Sequence, residues 1–249
     1  MNCDTDNRPQ QQWIRHEIKY RLQNEALGAF NTYAQNLLEA DPNSLKQGGY
    51  LNYSIYFDAP SHRFLNEKEE GLEVRTKPRL RVYKDIVTGA PLNYFFELKH
   101  RRGAFVFKER TQIDRQLSLD FLSEYDFSNH LSNPVISHVL YLFRRYQIQP
   151  TICVLYKRQA FQSSLYPGLR VTYDSQISGS FNISLDTPRE EFLPVLPANE
   201  TILEIKYNRH RPNLISEAVK RLELQQISYS KYVETMHALP RSYSSIRPL

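Results

Sequence analysis

The sequence contains little cysteine and no long apolar run. Cys3 and Cys153 are the only two cysteines, too few for a disulfide framework and without the spacing of a zinc knuckle. This scarcity favours a reducing compartment. No apolar run approaches the roughly 18 residues of a membrane span, and residues 1–12 lack the basic and apolar regions of a signal peptide. We therefore expect a cytoplasmic protein with no transmembrane segment in this chain.

Aromatic residues are abundant, with 17 tyrosines and 13 phenylalanines against only 8 glycines. Together with a hydrophobic content of 41%, they favour strands and argue against disorder. We predict a single domain over residues 13–249 and a disordered leader over residues 1–12. A net charge of +5 suits a nucleic acid, an anionic lipid or a small polyanion as partner, so the placement of the charges has to decide.

Two kinds of segment alternate along the chain. Runs with an apolar residue every three or four positions predict helices, and shorter runs of alternating apolar and polar residues, separated by turn sequences, predict antiparallel strands. The predicted helices cover residues 26–39, 134–146, a segment after Pro212 and 230–239, and the predicted strands cover 14–22, 50–58, 73–83, 93–100, 104–110, 152–161, 169–174 and 202–207.

The charged residues of these strands are in phase. Because side chains alternate between the faces of a strand, charges two residues apart project the same way. Arg75, Lys77, Arg79 and Arg81 share one face, opposite Leu80. The same phasing in other strands gives a charged set of Arg15, Glu17, Lys19, Arg79, Arg81, Glu97, Lys99, Lys108, Arg110, Arg158, Arg170, Glu204 and Lys206.

This set is strongly basic. It takes ten of the 32 basic residues and three of the 27 acidic ones, so it carries seven net positive charges and the rest of the chain two net negative ones. An ordinary solvated sheet face is the simpler alternative, but such a face normally mixes both signs with serine and threonine. We predict an α+β protein: a predominantly antiparallel eight-stranded β-barrel, forming a tunnel with a charged interior, whose apolar outside is covered by flanking helices.

The chemistry of this face suits phosphate. Arginine forks bind phosphate oxygens two at a time, and lysines supply point charges. The simplest use for the three carboxylates is to hold a divalent cation beside phosphate oxygens. No nucleic acid is expected, because tyrosine and phenylalanine fall mostly opposite the charges. The basic run Lys99-His100-Arg101-Arg102 is interpreted as a solvated turn.

Eight short segments carry a family resemblance: RHEIKY at 15–20, YFD at 56–58, RLRVY at 79–83, ELK at 97–99, YKRQAF at 156–161, RVTYD at 170–174, ILEIK at 202–206 and SKY at 230–232. In this order they resemble the polyphosphate polymerase (VTC) domain, a branch of the triphosphate tunnel metalloenzyme and CYTH-like superfamily. The likeness extends over nearly the whole chain beyond Gln12.

The resemblance implies the roles of particular residues. Glu204 is implied as the metal-binding carboxylate, with Glu17 and Glu97 as further candidate ligands of Mn²⁺ or Mg²⁺. Simpler interpretations stay open, since Glu97 could be a salt-bridge partner, Tyr156 a core residue and Ser230 an N-cap. The implied phosphate-binding residues are Lys19, Arg79, Arg81, Lys99, Lys108, Tyr156, Arg158, Arg170, Lys206, Ser230 and Lys231.

The activity implied by the resemblance is transfer of the γ-phosphoryl group of ATP to a growing inorganic polyphosphate chain, with ATP and polyphosphate or pyrophosphate in the tunnel. An inorganic triphosphatase on the same fold and a non-catalytic polyphosphate-binding module are the alternatives. Arg15 replaces the first glutamate of the superfamily's Glu-x-Glu-x-Lys pattern, which weakens the triphosphatase interpretation. A membrane-protein partner stays open.

Overall fold

One antiparallel sheet dominates the fold. A computed structural model describes residues 16–45, 48–103, 105–123, 130–208 and 210–240; residues 1–12 and Arg15, about which the sequence made predictions, lie outside these ranges. The strands are β1 (His16–Gln23), β2 (Glu39–Ala40), β3 (Tyr50–Asp58), β4 (Val74–Lys84), β5 (Pro91–Arg102), β6 (Phe105–Ile113), β7 (Gln149–Gln162), β8 (Arg170–Ser180), β9 (Leu193–Pro194), β10 (Glu200–Tyr207) and β11 (Gln226–Ile227).

Seven α-helices and one 3₁₀ turn, Arg189–Glu191, connect the described strands. None of these helices is long and apolar enough to cross a membrane. The helices are α1 (Asn24–Ala34), α2 (Pro42–Leu45), α3 (Arg63–Glu69), α4 (Arg115–Ser123), α5 (Pro134–Tyr146), α6 (Asn213–Arg221) and α7 (Lys231–Ala238).

The prediction of a closed eight-stranded barrel is wrong. The sheet has eleven strands in the order β11-β1-β10-β8-β7-β3-β4-β5-β6, with β2 added to β7 and β9 to β8. Within the described residues, the two ends of this path, β11 and β6, do not pair, so the sheet is open. The eight predicted strands match the eight long ones, whereas β2, β9 and β11 have two residues each, too few to show an alternating pattern.

The open sheet nevertheless bends back on itself. Six strand pairings separate β1 from β5 along the sheet. Even so, Nζ of Lys99 on β5 lies 3.2 Å from Oε2 of Glu17 on β1. Since side chains from distant strands touch, they enclose the inner face of the sheet without a continuous ring of backbone hydrogen bonds.

Helices cover the outer, apolar face of the sheet. Leu80 and Phe96 pack against Phe121 of α4 and Val139 of α5 in one buried cluster. A second cluster joins α1 and α6 to β1, β8 and β10. The helical cover predicted from the sequence is therefore present. Strands of both clusters send their charged residues to the opposite, inner face.

The sequence predicted a charged interior, but part of the inner face is apolar. A third buried cluster contains Ile152 and Tyr156 of β7 together with Tyr232 and Val233 of α7. Tyr56 of β3 stacks on Tyr232, with ring centroids 5.2 Å apart. The last described helix thus packs against the inner face and closes part of the space that an empty tunnel would leave.

The basic run at residues 99–102 is not a turn. Strand β5 continues to Arg102, and the His100 side chain is buried, with 6% of its surface exposed. The turn comes one residue later at Gly103, where φ is +58°, a backbone conformation that glycine adopts readily. The strand extends through these residues because residues 94–102 pair with both β4 and β6, and a local run of charges does not show such long-range pairing.

Asp58 links the sheet to two helices, which leads to a stability prediction. Its fully buried carboxylate accepts hydrogen bonds from the Phe64 and Leu65 amides at the start of α3, at 2.8 and 3.0 Å, and from the Tyr232 hydroxyl at 2.5 Å. Asp58→Ala leaves these donors without a partner and should lower the free energy of unfolding by about 2–4 kcal/mol. Urea denaturation measures this.

Asp58→Asn is the matched control, because it keeps one acceptor oxygen in the same place. We expect the Asn variant to lie between wild type and the Ala variant in its free energy of unfolding. An Ala variant as stable as wild type would show that Asp58 does not organise α3 and α7.

Candidate functional site

Charged side chains from seven strands and one helix meet on the inner face. They come from β1, β4, β5, β6, β7, β8, β10 and α7, where the antiparallel register sets cations beside carboxylates. Cations outnumber carboxylates by six. The group, called here the cation cluster, is Lys19, Lys77, Arg79, Arg81, Lys99, Lys108, Arg110, Arg158, Lys206 and Lys231 with Glu17, Glu97, Asp174 and Glu204.

Glu97 is the most enclosed carboxylate at the β4–β6 end. It is fully buried, accepts from Arg79 at 2.7 and 2.8 Å, and lies 3.5 Å from Arg81 and 3.1 Å from Lys108. Burial would raise the pKa of Glu97, but Arg79, Arg81 and Lys108 outweigh burial and lower it. This setting favours the salt-bridge interpretation of Glu97. Its role as a metal ligand stays a prediction.

Glu17 and Glu204 share two lysines at the β1–β10 end. Nζ of Lys19 lies 3.3 Å from Oε1 of Glu17 and 3.5 Å from Oε2 of Glu204, and Lys206 also pairs with both carboxylates. Burial and Glu204 act to raise the pKa of Glu17, but Lys206, Lys99 and Lys19 lower it to about 2. Two ionised carboxylates side by side are hard oxygen ligands, which fits Mn²⁺ or Mg²⁺.

Asp174 forms the third ionic group. Its buried carboxylate receives two hydrogen bonds from the Arg158 guanidinium, at 2.6 and 2.7 Å, and one from Lys231. Both cations lie over the ring of Tyr156, at 5.4 and 4.5 Å from its centroid. Sequence reasoning missed Asp174, although the alternation rule could have found it, since it is in phase with Arg170.

Lys77 is a second residue that sequence reasoning left out of the candidate set. It lies in register with Lys99, which lies in register with Lys108, so three lysines form a row across β4, β5 and β6. Nζ of Lys77 donates to the Ser230 hydroxyl at 2.6 Å, and no carboxylate of the described residues pairs with it. Burial and then Lys99 lower the pKa of Lys77 to about 7. Burial also lowers the pKa of Lys99, to about 8, against the effect of Glu17.

Ser230 has the position of an N-cap without the bond. It precedes α7, but its side chain makes no capping hydrogen bond and instead accepts from Lys77. Lys231, the first residue of α7, is buried against Asp174. The two residues predicted from the family resemblance thus join the cation cluster by their side chains.

Buried polar atoms without partners lie beside these charges. Within the described part of the chain, the amide group of Asn52 and the hydroxyls of Ser54 and Thr172 form no hydrogen bond. They share the inner face, because Ser54 is in register with Arg81 and Thr172 with Glu204. Since buried polar atoms are nearly always hydrogen-bonded in folded proteins, these atoms mark a place for water or a polar ligand.

Accessibility varies across the candidate residues. The side chains of Arg81 and Lys231 are less than a tenth exposed, whereas that of Lys108 is 41% exposed. Arg170 stands apart, since its guanidinium pairs with Asp41 at 2.8 Å. The cluster therefore has a deep part, which includes Arg81 and Lys231, and an accessible part, which includes Lys108 and Arg110, a gradient suited to a long anion entering from one side.

Comparison with known protein families assigns the chain to a family. The family model of the VTC domain matches residues 14–240. The chain belongs to the VTC domain family. The match spans every strand from β1 to β11 and also α7, so each residue of the cation cluster lies inside the VTC domain.

Solved structures resemble this VTC domain only remotely. A protein of Pyrococcus horikoshii OT3 has a TM-score of 0.46 at 14% identity, over 90% of this chain and 98% of its own. A putative adenylate cyclase of Vibrio parahaemolyticus has the same TM-score and identity, over 92% and 100%. One of Bacillus halodurans has 0.46 at 13%, over 88% and 93%. None is close enough to indicate an activity. No curated protein sequence matches the chain.

Removing the charge of Glu97 should destabilise the VTC domain in a way that an anion repairs. Glu97→Gln keeps the shape but leaves the largely buried Arg79 and Arg81 and the partly exposed Lys108 without this counter-charge. The free energy of unfolding should fall by about 3–5 kcal/mol. Urea denaturation with and without tripolyphosphate tests this, and the anion should stabilise the variant more than wild type.

Glu200→Gln is the control, because Glu200 pairs with Arg21, whose side chain is half exposed. Its cost should stay within about 1 kcal/mol and should not depend on the anion. If tripolyphosphate stabilised wild type and the Glu97 variant equally, the anion would not bind among these cations.

Lys77 should make anion binding depend on pH. Below about pH 7 it is charged before and after binding, but at higher pH its charging requires proton uptake, which weakens binding by up to about tenfold per pH unit. Titration calorimetry with tripolyphosphate from pH 6.5 to 9 should therefore show the affinity advantage of wild type over Lys77→Gln shrinking as pH rises. Because wild type and Lys77→Gln bind the same ligand, the titration of tripolyphosphate itself cancels in the ratio of their affinities.

Lys84→Gln serves as the control on the same strand. Lys84 donates to the Leu185 carbonyl at 3.0 Å and lies over the outer-face ring of Tyr53, away from the cation cluster. Its variant should keep the pH dependence of wild type. Equal affinities of wild type and Lys77→Gln across this range would remove Lys77 from the binding site, and a constant advantage of wild type would show that Lys77 stays charged throughout.

Proposed function

We propose that this VTC domain transfers the terminal phosphoryl group of ATP to inorganic polyphosphate. The observation that supports the proposal is the enclosed cation cluster, in which ten basic residues face only four carboxylates. A surplus of positive charge at low exposure is costly unless a polyanion normally lies within it. A chain of phosphates, with charge on every unit, matches an elongated group of cations better than a single small anion does.

The cationic side chains would hold both anions in line. Arg79, Arg81 and Arg158 present guanidinium forks, which bind two phosphate oxygens at once. Lys99 and Lys108, nearer the opening, add point charges along the path of the chain. Phosphoryl transfer depends mainly on alignment of the attacking and leaving oxygens about phosphorus and on neutralisation of charge. These residues would therefore make the main contribution of the protein to catalysis.

Glu204 and Glu17 would hold the divalent cation. Both carboxylates are ionised, because neighbouring lysines lower their pKa values below the ordinary range against the effect of burial. Both carboxylates pair with Lys19 and Lys206. A metal ion with its phosphate oxygens would take the place of these lysines beside the carboxylates. A bound Mn²⁺ or Mg²⁺ supplies charge neutralisation at the reacting phosphate oxygens.

The reaction itself requires no protein nucleophile. A terminal oxygen of polyphosphate, already ionised, forms a bond to the γ-phosphorus of ATP. The bond from that phosphorus to the β–γ bridging oxygen breaks, and ADP leaves with the electron pair. The cluster would counter the charge that gathers on the bridging oxygen, and we assign this role to Lys231 and Arg158 at its deep end.

Incubation of the purified protein with ATP and Mn²⁺ tests the proposal. We expect ³¹P NMR to show the signals of internal polyphosphate units together with ADP. Arg158→Lys keeps a positive charge beside Asp174 but loses the fork, and should lower the rate about 10²-fold, as should Glu204→Gln. Arg63→Lys changes a half-exposed arginine of α3 that pairs with Glu67, and this control should leave the rate unchanged.

Two results would contradict the transferase. Orthophosphate as the sole phosphate product would identify a triphosphatase, in which water is the acceptor. Tight binding of tripolyphosphate without turnover of ATP, and unchanged by Glu204→Gln, would identify a polyphosphate-binding module.

A further inference from the structure

A second group of potential metal ligands lies outside the cation cluster. His100 of β5, Glu109 of β6 and His138 of α5 each offer a ligand atom, and these atoms lie within 4.8 Å of one another. It is the one such group of three histidine, cysteine or acidic residues among the described residues. Because His100 and Glu109 follow Lys99 and Lys108 on their strands, they project from the opposite, outer face.

The separations suit a small transition-metal ion. Nε2 of His100 lies 3.0 Å from Oε1 of Glu109, and Nδ1 of His138 lies 3.3 Å from Oε2 of the same carboxylate. Ligand atoms of a tetrahedral zinc ion, at bonds of about 2.0–2.1 Å, are about 3.3 Å apart. Little movement would be needed to bring a single ion into contact with all three side chains.

The environment of His100 points independently to a ligand. Its Nε2 is buried and forms no hydrogen bond within the described structure, although it faces the Glu109 carboxylate. Its other ring nitrogen, Nδ1, lies 3.0 Å from the Thr76 hydroxyl, the kind of partner that fixes the orientation of a metal-binding histidine.

We propose that His100, Glu109 and His138 form a zinc site on the outer face of the VTC domain, separate from the cation cluster. Two histidines and one carboxylate bind zinc in preference to Mg²⁺, because Mg²⁺ requires oxygen ligands. The side chains of Glu109 and His138 are about one third exposed, so water has access to a fourth position. The ion would join α5 to β5 and β6, the strands that carry Lys99 and Lys108.

Zinc titration of the full-length protein tests the site by calorimetry and by the metal content after dialysis. We expect one zinc ion per chain at this site and a rise in melting temperature. His138→Asn and Glu109→Gln should each weaken binding at least about hundredfold, and Thr76→Val about tenfold. Cobalt should give the strong visible bands of a tetrahedral ion in wild type and not in His138→Asn.

Two controls separate this site from others. His237→Asn changes an exposed histidine that pairs with Glu69, and it should retain full zinc binding. Glu204→Gln, which alters the carboxylates of the cation cluster, should retain it as well, whatever its effect on phosphoryl transfer. Folding of each variant is checked by circular dichroism.

Specific outcomes would overturn the proposal. If wild type bound no zinc, the three side chains would only pair with one another and would not form a metal site. If Glu204→Gln removed zinc and His138→Asn did not, the ion would lie in the cation cluster. Neither result depends on whether the protein makes polyphosphate.

Discussion

The structure depends on an imbalance of charge within a bent sheet. Ten cations face four carboxylates, and each carboxylate is shared between cations rather than paired with one. Glu97, for example, lies within 4.0 Å of four cationic side chains. Such sharing holds the cations together in the absence of an anion but leaves a positive surplus. The same arrangement that limits stability therefore creates the affinity for a polyanion.

Apolar packing holds this charged group in place. On the outer face, α4 and α5 pack against the strands that carry Arg79 and Glu97. On the inner face, Asp58 receives the Tyr232 hydroxyl and thereby fixes α7, whose first residue, Lys231, reaches Asp174. The cations are thus mounted on elements whose positions are set elsewhere, so that they can stay close together despite their repulsion.

The sequence predicted the features that follow from the alternation of side chains between the two faces of a strand. All eight long strands followed from steps of two residues, as did the shared inner face of the predicted charged residues from Glu17 to Lys206, except Arg170, which pairs with Asp41. Closure of the sheet did not, because it depends on bending and on pairing at the edges, and the two-residue strand β11 has no pattern of its own. The same rule applied more evenly would have included Lys77 and Asp174. Glu97 pairs with a different set of cations from Glu17 and Glu204, a grouping that depends on how the sheet bends and that no local pattern contains.

Alternation also explains how two different sites can share a pair of strands. On β5 and β6, Lys99 and Lys108 face inward while their neighbours His100 and Glu109 face outward. The two sets are separated by the backbone and so differ in chemistry, one suited to anions and the other to a metal ion. They are nonetheless coupled mechanically, because any shift of the β5–β6 hairpin moves both. An ion that fixed the hairpin from outside would also fix the lysines at the opening of the cation cluster.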